Sequence, residues 1–445
     1  MYYIIENKNQ LEKFSEYRLS NCYVDVITGN DRYHNALSNP ILIYIKPFES
    51  KSGFIIPINH NEAHSIDEAS IIDLLTNYVG QIYAIDAKRL LHSLKVNKPL
   101  KCLKTALYLT EGKVLEESEY DTQAHRFFYN RYGDLNNVNN LIPISKHYEK
   151  LENIIKKIPD LSQVYKTTYY ELYGSVAQSV FYRIERNGIT INKEILLNHF
   201  KVKNPKLSIR DNKVYTSYNV FTATGRPSNS FNNINFSALK KDDDTRASFV
   251  ASMDYLVEYD YSSYHLRILC NLIDYSFEEK DIHTHLAKYY FQKDSISEQE
   301  YNESKSLTFK LLYTESIKEE IEDIDFFKKV REYKNNLWES YKKTGVLYSN
   351  IAKRPITNIE NKTQLLPYIL QAYETEYNIL ILDKVLNLLD NFDSKLVAYC
   401  YDSFLIDYSK NDGKDILYEI SCIFEQDRYK TSCKYGINYH EMKSI

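Results

Sequence analysis

Between residues 21 and 85 short apolar runs alternate with polar breaks. Asn21-Cys22-Tyr23-Val24-Asp25-Val26-Ile27, Pro40-Ile41-Leu42-Ile43-Tyr44-Ile45 and Gly53-Phe54-Ile55-Ile56-Pro57-Ile58 are rich in β-branched and aromatic residues. Turn formers separate them, which predicts three strands in a meander. Helical spacing over Ser65–Tyr78 precedes a further strand at Gln81-Ile82-Tyr83-Ala84-Ile85. Strands first, then helix and strand in alternation, predict a compact α/β domain ending near residue 115. Residues 116–145 are polar, and Asp134-Leu135-Asn136-Asn137-Val138-Asn139-Asn140 is the expected linker.

From His147 the pattern turns helical. Leu172–Arg186 carries apolar residues at helical spacing, Asn187-Gly188 stops it, and Asn192 is placed to cap the next helix. Residues 250–260 and 395–408 read as strands, and 300–345 and 368–390 as helices. No internal repeat interrupts this order.

Composition narrows the class. The chain has 445 residues, 43% hydrophobic and 26% charged, enough for two or three globular domains. No run of 18 apolar residues suggests a membrane helix, and the N-terminus lacks the basic and apolar regions of a secretory signal. Six cysteines show no CxxC pair, so reduced thiols and a cytoplasmic location are expected. A net charge of −4 does not announce a nucleic-acid binder, nor exclude one, because such enzymes can confine Lys and Arg to one groove. The 42 tyrosines read as the codon bias of an AT-rich genome.

Candidate chemistry centres on Asp260-Tyr261-Ser262-Ser263-Tyr264-His265-Leu266-Arg267, which follows the strand-like Tyr255–Tyr259 and opens a helix-like run. A carboxylate at the end of a buried strand is well placed to hold a hard cation. A second acid, Asp402, lies 142 residues downstream in a turn between two strand-like arms. Two-metal chemistry on phosphates needs such carboxylates brought together from separate strands. Thr222-Ala223-Thr224-Gly225-Arg226-Pro227-Ser228-Asn229 is a turn-rich loop whose Arg226 offers a planar fork to a phosphate or base edge. Lys305, Phe309 and Tyr313 recur every four residues and share one helix face, presenting a cation and two rings.

These pieces, in this order, resemble the family A DNA polymerases. The resemblance rests on Thr224-Gly225-Arg226, Asn232 and Asn235, Arg246 with Phe249, Asp260-Tyr261-Ser262 through Leu266-Arg267, Asp281-Ile282-His283-Thr284, and Lys305, Phe309 and Tyr313. It covers roughly residues 170–410. It implies an α+β multidomain chain: a right-hand polymerase with palm, fingers and thumb, preceded by an RNase H-like α/β exonuclease-like domain. The expected division is 1–140 for the exonuclease-like domain and 141–445 for the polymerase. The thumb is then about 145–215, the palm about 216–275 and 346–445, and the fingers about 276–345.

The resemblance also assigns roles. Asp260 and Asp402 are the catalytic metal ligands, for two Mg²⁺ ions or Mn²⁺, with Lys305 as the catalytic cation. His283, Phe309, Tyr313, Tyr261 and His265 bind the nucleotide. Arg226, Asn232, Asn235, Arg246, Arg267, Arg354 and Gln371 contact primer–template DNA. The implied reaction adds deoxynucleotides from their triphosphates to a primer 3′ end. A soluble monomer of phage or mobile-element origin, working with replication accessory proteins, is the implied context.

Departures from the family pattern open alternatives. His265 stands where the family carries the Glu that screens the sugar 2′ position, Tyr301 where it carries an Arg, and Thr314 where it carries a Gly. Tyr401 and Ser403 replace the His and Glu flanking the second Asp. Relaxed sugar selectivity, primer-independent synthesis, or a polymerase-like DNA-binding protein without turnover are the competing expectations. In the N-terminal domain Asp25 lacks an acid two residues on, Asp86 is a second candidate, and Lys104–Leu109 carries none, so an inactive nuclease is expected.

Overall fold

The structure is a computed structural model that describes residues 1–114, 138–202, 204–241, 243–277, 281–313, 324–427 and 429–444. The chain divides into two compact units. One comprises Met1–Phe221, Asn229–Ser252 and Asn438–His440, the other Thr222–Ser228, Met253–Ile437 and Glu441–Ile445.

The first unit is built on a six-stranded sheet of β1 (Tyr2–Ile4), β2 (Cys22–Thr28), β3 (Pro40–Pro47), β4 (Gly53–Pro57), β5 (Ile82–Ala84) and β6 (Lys101–Cys102). Their spatial order is β1-β4-β3-β2-β5-β6. The expected meander is present: β2 pairs antiparallel with β3 and β3 with β4, placing Val24 opposite Ile45 and Val26 opposite Ile43. The parallel additions, β5 beside β2 and β6 beside β5, are reached through helices Glu68–Thr76 and Ala87–Leu94.

Alternation along β2 and β3 feeds two cores. Val24, Val26, Ile43 and Ile45 pack with Ile71, Leu75, Leu90 and Leu94. Ile27, Leu42 and Tyr44 pack on the other side with Ile144, Leu151 and Tyr170. A sheet covered on both faces needs near-continuous apolar strands, as the sequence pattern has. The expected linker is corrected in part. Residues 134–137 lie outside the described ones, but Val138, Asn139 and Asn140 are buried, and Asn139 donates to Thr28 O at 2.8 Å. The expected helix over Leu172–Arg186 begins as a wider π-turn at Glu171–Val176 and continues as an α-helix over Ala177–Asn187. Gly188 ends it at φ +59°, where a side chain would be strained. Asn192 caps the next helix by accepting from Ile195 N at 3.3 Å, as expected.

The second unit holds a five-stranded antiparallel sheet ordered Lys395–Cys400, Ser403–Tyr408, Tyr255–Tyr261, Thr431–Gly436 and Lys443–Ser444. Tyr259 and Tyr261 donate their hydroxyls to the carbonyls of Leu417 and Phe424 on helix Asp415–Glu425, so odd-numbered residues of the central strand face that helix. Asp260 alternates to the opposite side. The helices expected over 300–345 are Glu298–Tyr313 and Asp325–Thr344; residues 314–323, Thr314 among them, lie outside the described ones.

Helix Leu365–Leu389 carries buried residues on every side, the signature of a helix inside a core. It therefore buries polar groups that must find partners. Glu376 accepts from Ala352 N at 2.9 Å and Ile351 N at 3.2 Å. Asn378 accepts from Tyr264 Oη at 2.8 Å.

Candidate active site

All positions in this site belong to the second unit. Asp260 sits at the C-terminal end of the central strand, opposite Ser403 on one side and Ser432 on the other. Tyr261 N donates to Asp402 O at 2.9 Å, which fastens the hairpin turn against that strand end. The two acids that are far apart in sequence thus stand at adjoining strand ends. The turn puts Tyr401 at φ +64°, a costly conformation for a non-glycine residue. Asn378 offsets it by donating Nδ2 to Tyr401 O at 2.7 Å and to Tyr399 Oη at 3.1 Å.

Asp402 is exposed to solvent. The protein packed around its carboxyl nonetheless raises its pKa, the Glu374 charge adds to that, and Arg226 and His265 partly counter it.

Glu374, 1% exposed, is the hub. Its Oε1 accepts from Arg226 Nε at 3.3 Å and Nη2 at 3.2 Å. Its Oε2 pairs with His265 Nε2 at 2.5 Å. The Arg226 guanidinium lies 3.7 Å from the Tyr401 ring centroid, a cation–π contact that orients it beside Asp402. The loop that delivers Arg226 turns at Gly225, φ +74°, and Gln371 accepts from Thr224 Oγ1 at 3.2 Å. Tyr313 lies within electrostatic reach of Arg226 and Glu374; burial raises its pKa.

Helices Ile282–Phe291 and Glu298–Tyr313 pack together. Asp281 caps the first by accepting from His283 N at 2.8 Å. Lys305 is exposed, and Phe309 and Tyr313 stack with centroids 6.5 Å apart, so the expected shared face is present. His283 is fully buried, edge-on to Tyr301 and tilted against Phe309, and neither ring nitrogen has a hydrogen-bond partner among the described residues. Burial lowers its pKa to about 4, and the Lys305 charge acts in the same direction.

Other predicted residues sit in different surroundings. Tyr261 is 2% exposed and stacks on Tyr264 at 4.3 Å, so its side chain packs the core. Arg354 is buried and donates to Thr222 O at 2.7 Å. Arg267 donates Nε to Ser262 O at 3.0 Å. Asn232, Asn235 and Arg246 belong to the first unit. There Asn232 donates to Asn204 O at 2.7 Å, Asn235 accepts from Ser237 N at 2.9 Å, and the Arg246 guanidinium covers the Tyr439 ring at 4.4 Å.

Sequence reasoning missed Glu374 and Asn378. A signal existed: Gln371, Glu374 and Asn378 form a polar stripe at helical spacing inside an otherwise apolar run. Among the described residues no group of three or more His, Cys, Asp or Glu is arranged to hold a metal ion. The two acids Asp260 and Asp402 remain as hard oxygen donors.

Residues 194–366 match the family model described as DNA polymerase family A. The whole chain is similar in fold to a solved structure, the POL domain of Pol1 from M. smegmatis in complex with DNA primer-template and dNTP. The TM-score is 0.72 at 14% identity, over 99% of each chain. No curated protein sequence matches the chain.

Proposed function

We propose that the chain is a family A DNA polymerase, a reading supported by the family-model match over residues 194–366 and the likeness of fold, and that Asp260 and Asp402 are its catalytic metal ligands. The carrying observation is the hydrogen bond from Tyr261 N to Asp402 O, which brings the turn acid to the strand end that bears Asp260. The donor set suits Mg²⁺, which is commonly bound by one or two carboxylates with waters and substrate phosphates completing its shell. The raised pKa of Asp402 supports this, since a carboxyl whose charge is disfavoured by burial and by Glu374 gains from a nearby cation. Bound there, two such ions would acidify the primer 3′-hydroxyl and stabilise the leaving pyrophosphate.

The remaining roles follow from placement. Lys305, exposed on the Glu298–Tyr313 helix, meets the triphosphate. Phe309 and Tyr313 offer stacked faces to the nascent base pair, a sequence-tolerant contact. His283 offers a neutral imidazole to a phosphate oxygen in this reading, from a buried place against Tyr301 and Phe309. Arg226 and Gln371 approach the primer–template from the Thr222–Ser228 loop and the Leu365–Leu389 helix. Tyr261, Arg267 and Arg354 support the site by packing and backbone hydrogen bonds.

The division into exonuclease-like domain, thumb, palm and fingers, the cytoplasmic monomer, the accessory proteins and the mobile-element origin belong to the same proposal. The N-terminal unit has no nuclease activity in this reading. Arg89 Nη2 bridges both oxygens of Asp25 at 2.7 and 2.8 Å, and Lys104 holds Asp86 at 3.0 Å. Burial opposes ionisation of Asp86, but Lys104, Arg89 and Lys88 outweigh it and lower its pKa. Carboxylates neutralised by fixed cations are poor ligands for a metal pair.

Primer extension by wild type, Asp260→Ala and Asp402→Ala tests the assignment. Losing either ligand costs about 4 kcal/mol or more of transition-state stabilisation, ~10³-fold in rate. Substantial extension by either variant refutes the roles given to these acids. Persistent primer–template binding without extension by wild type, at ample Mg²⁺ or Mn²⁺, favours the DNA-binding reading. Extension without a primer favours primer-independent synthesis.

A further inference from the structure

A buried carboxylate must be matched by positive charge and hydrogen-bond donors, or it takes up a proton. Glu374 is matched twice, by partners from two different segments. Arg226, a permanent cation from the Thr222–Ser228 loop, holds Oε1; His265, in the first turn of helix Tyr264–Leu272, holds Oε2 through Nε2. The side chain of Glu374 is 1% exposed, that of His265 19%. The contact therefore runs from the core to the open edge of the site. It anchors an imidazole that could otherwise move among staggered χ1 rotamers and flip its ring.

We propose that Glu374 is a positioning residue that sets sugar selectivity: by holding His265 Nε2 it makes the two side chains one rigid wall that excludes a ribose 2′-hydroxyl. This rests on the polymerase reading above. The acid that the family pattern places at position 265 is here supplied from helix Leu365–Leu389, with the imidazole interposed. Nε2 is committed to Glu374, so the ring meets the sugar as fixed bulk. A mobile ring would yield to the extra oxygen. Arg226 on the other carboxylate oxygen keeps Glu374 aimed, while its stacking on Tyr401 fixes its own plane.

The test compares kcat/KM for a deoxynucleotide and the matching ribonucleotide on one primer–template. Wild type, Glu374→Gln, His265→Ala and the double variant are measured. Glu374→Gln takes the charge from the contacts to both His265 and Arg226 and is expected to lower discrimination by about tenfold or more. His265→Ala should do the same, and the double variant should be no worse than His265→Ala alone, because the two act as one unit. A Glu374 that only supports the fold would slow both nucleotides alike and leave the ratio unmoved. An unchanged ratio in Glu374→Gln, or additive losses in the double variant, overturns the proposal. If Glu374→Gln does not fold, Glu374→Asp keeps the charge, shortens the reach to His265, and should show the same fall. Absence of any extension by wild type would instead overturn the polymerase reading itself.

Discussion

Replacing Asn378 with Ala separates the support of the catalytic turn from its chemistry. Asn378 is fully buried and makes three hydrogen bonds. It donates to Tyr401 O at 2.7 Å and Tyr399 Oη at 3.1 Å, and accepts from Tyr264 Oη at 2.8 Å. The substitution strands buried polar groups on three sides of one cavity. At about 1–1.5 kcal/mol for each lost hydrogen bond, the second unit should lose roughly 3–4.5 kcal/mol. The left-handed backbone at Tyr401 loses its brace, so Asp402 beside it should drift and extension should fall by about tenfold or more. The only tryptophan, Trp338, packs against a core of the second unit, so its fluorescence during denaturant unfolding reports that unit. A loss below about 0.5 kcal/mol, the range of ordinary surface changes, would refute the bracing role. So would full extension activity in the folded variant.

Four further outcomes are expected. Asp402→Asn should raise the melting temperature at neutral pH without divalent cations. The raised pKa means that the charged form is disfavoured in the fold, so stability falls as pH climbs from the ordinary carboxylate range through that pKa. Added Mg²⁺ should then stabilise wild type but not the variant, and equal melting curves would refute this. His283→Leu should stabilise the second unit by ~1 kcal/mol, because it replaces two unmatched ring nitrogens with apolar surface. With a pKa lowered to about 4 from the ordinary 6.5, the wild-type ring must stay neutral, so its unit loses stability as pH falls through that window. The Leu variant should lose less over the same range in pH-dependent melts. Arg89→Ala should destabilise the first unit by about 3–5 kcal/mol, because it breaks the ion pair to the buried Asp25 carboxylate, 1% exposed. The purified protein should not remove a mismatched 3′ nucleotide, which a gel assay of end-labelled primer would reveal.

Much of the fold follows from local pattern. Strands at 22–28, 40–47 and 53–57 and the central helix at 365–389 fall close to where apolar periodicity places them, since period and turn chemistry act over a few residues. Motif order likewise singled out Asp260, Asp402, Arg226 and the Lys305 helix face from sequence alone. Sequence also flagged His265 as a changed position. It could not give that residue a partner: Glu374 lies 109 residues from His265 and 148 from Arg226, and only their packing brings the three together. For the same reason the pattern could not tell that Tyr261 and Arg354 turn inward, that His283 is sealed between Tyr301 and Phe309, or that Arg89 neutralises Asp25. Sequence determined which residues carry chemistry and which elements hold them. Tertiary structure decided which charges meet, because that depends on strand register and on the rotation of one helix inside a core, and neither is written in local periodicity.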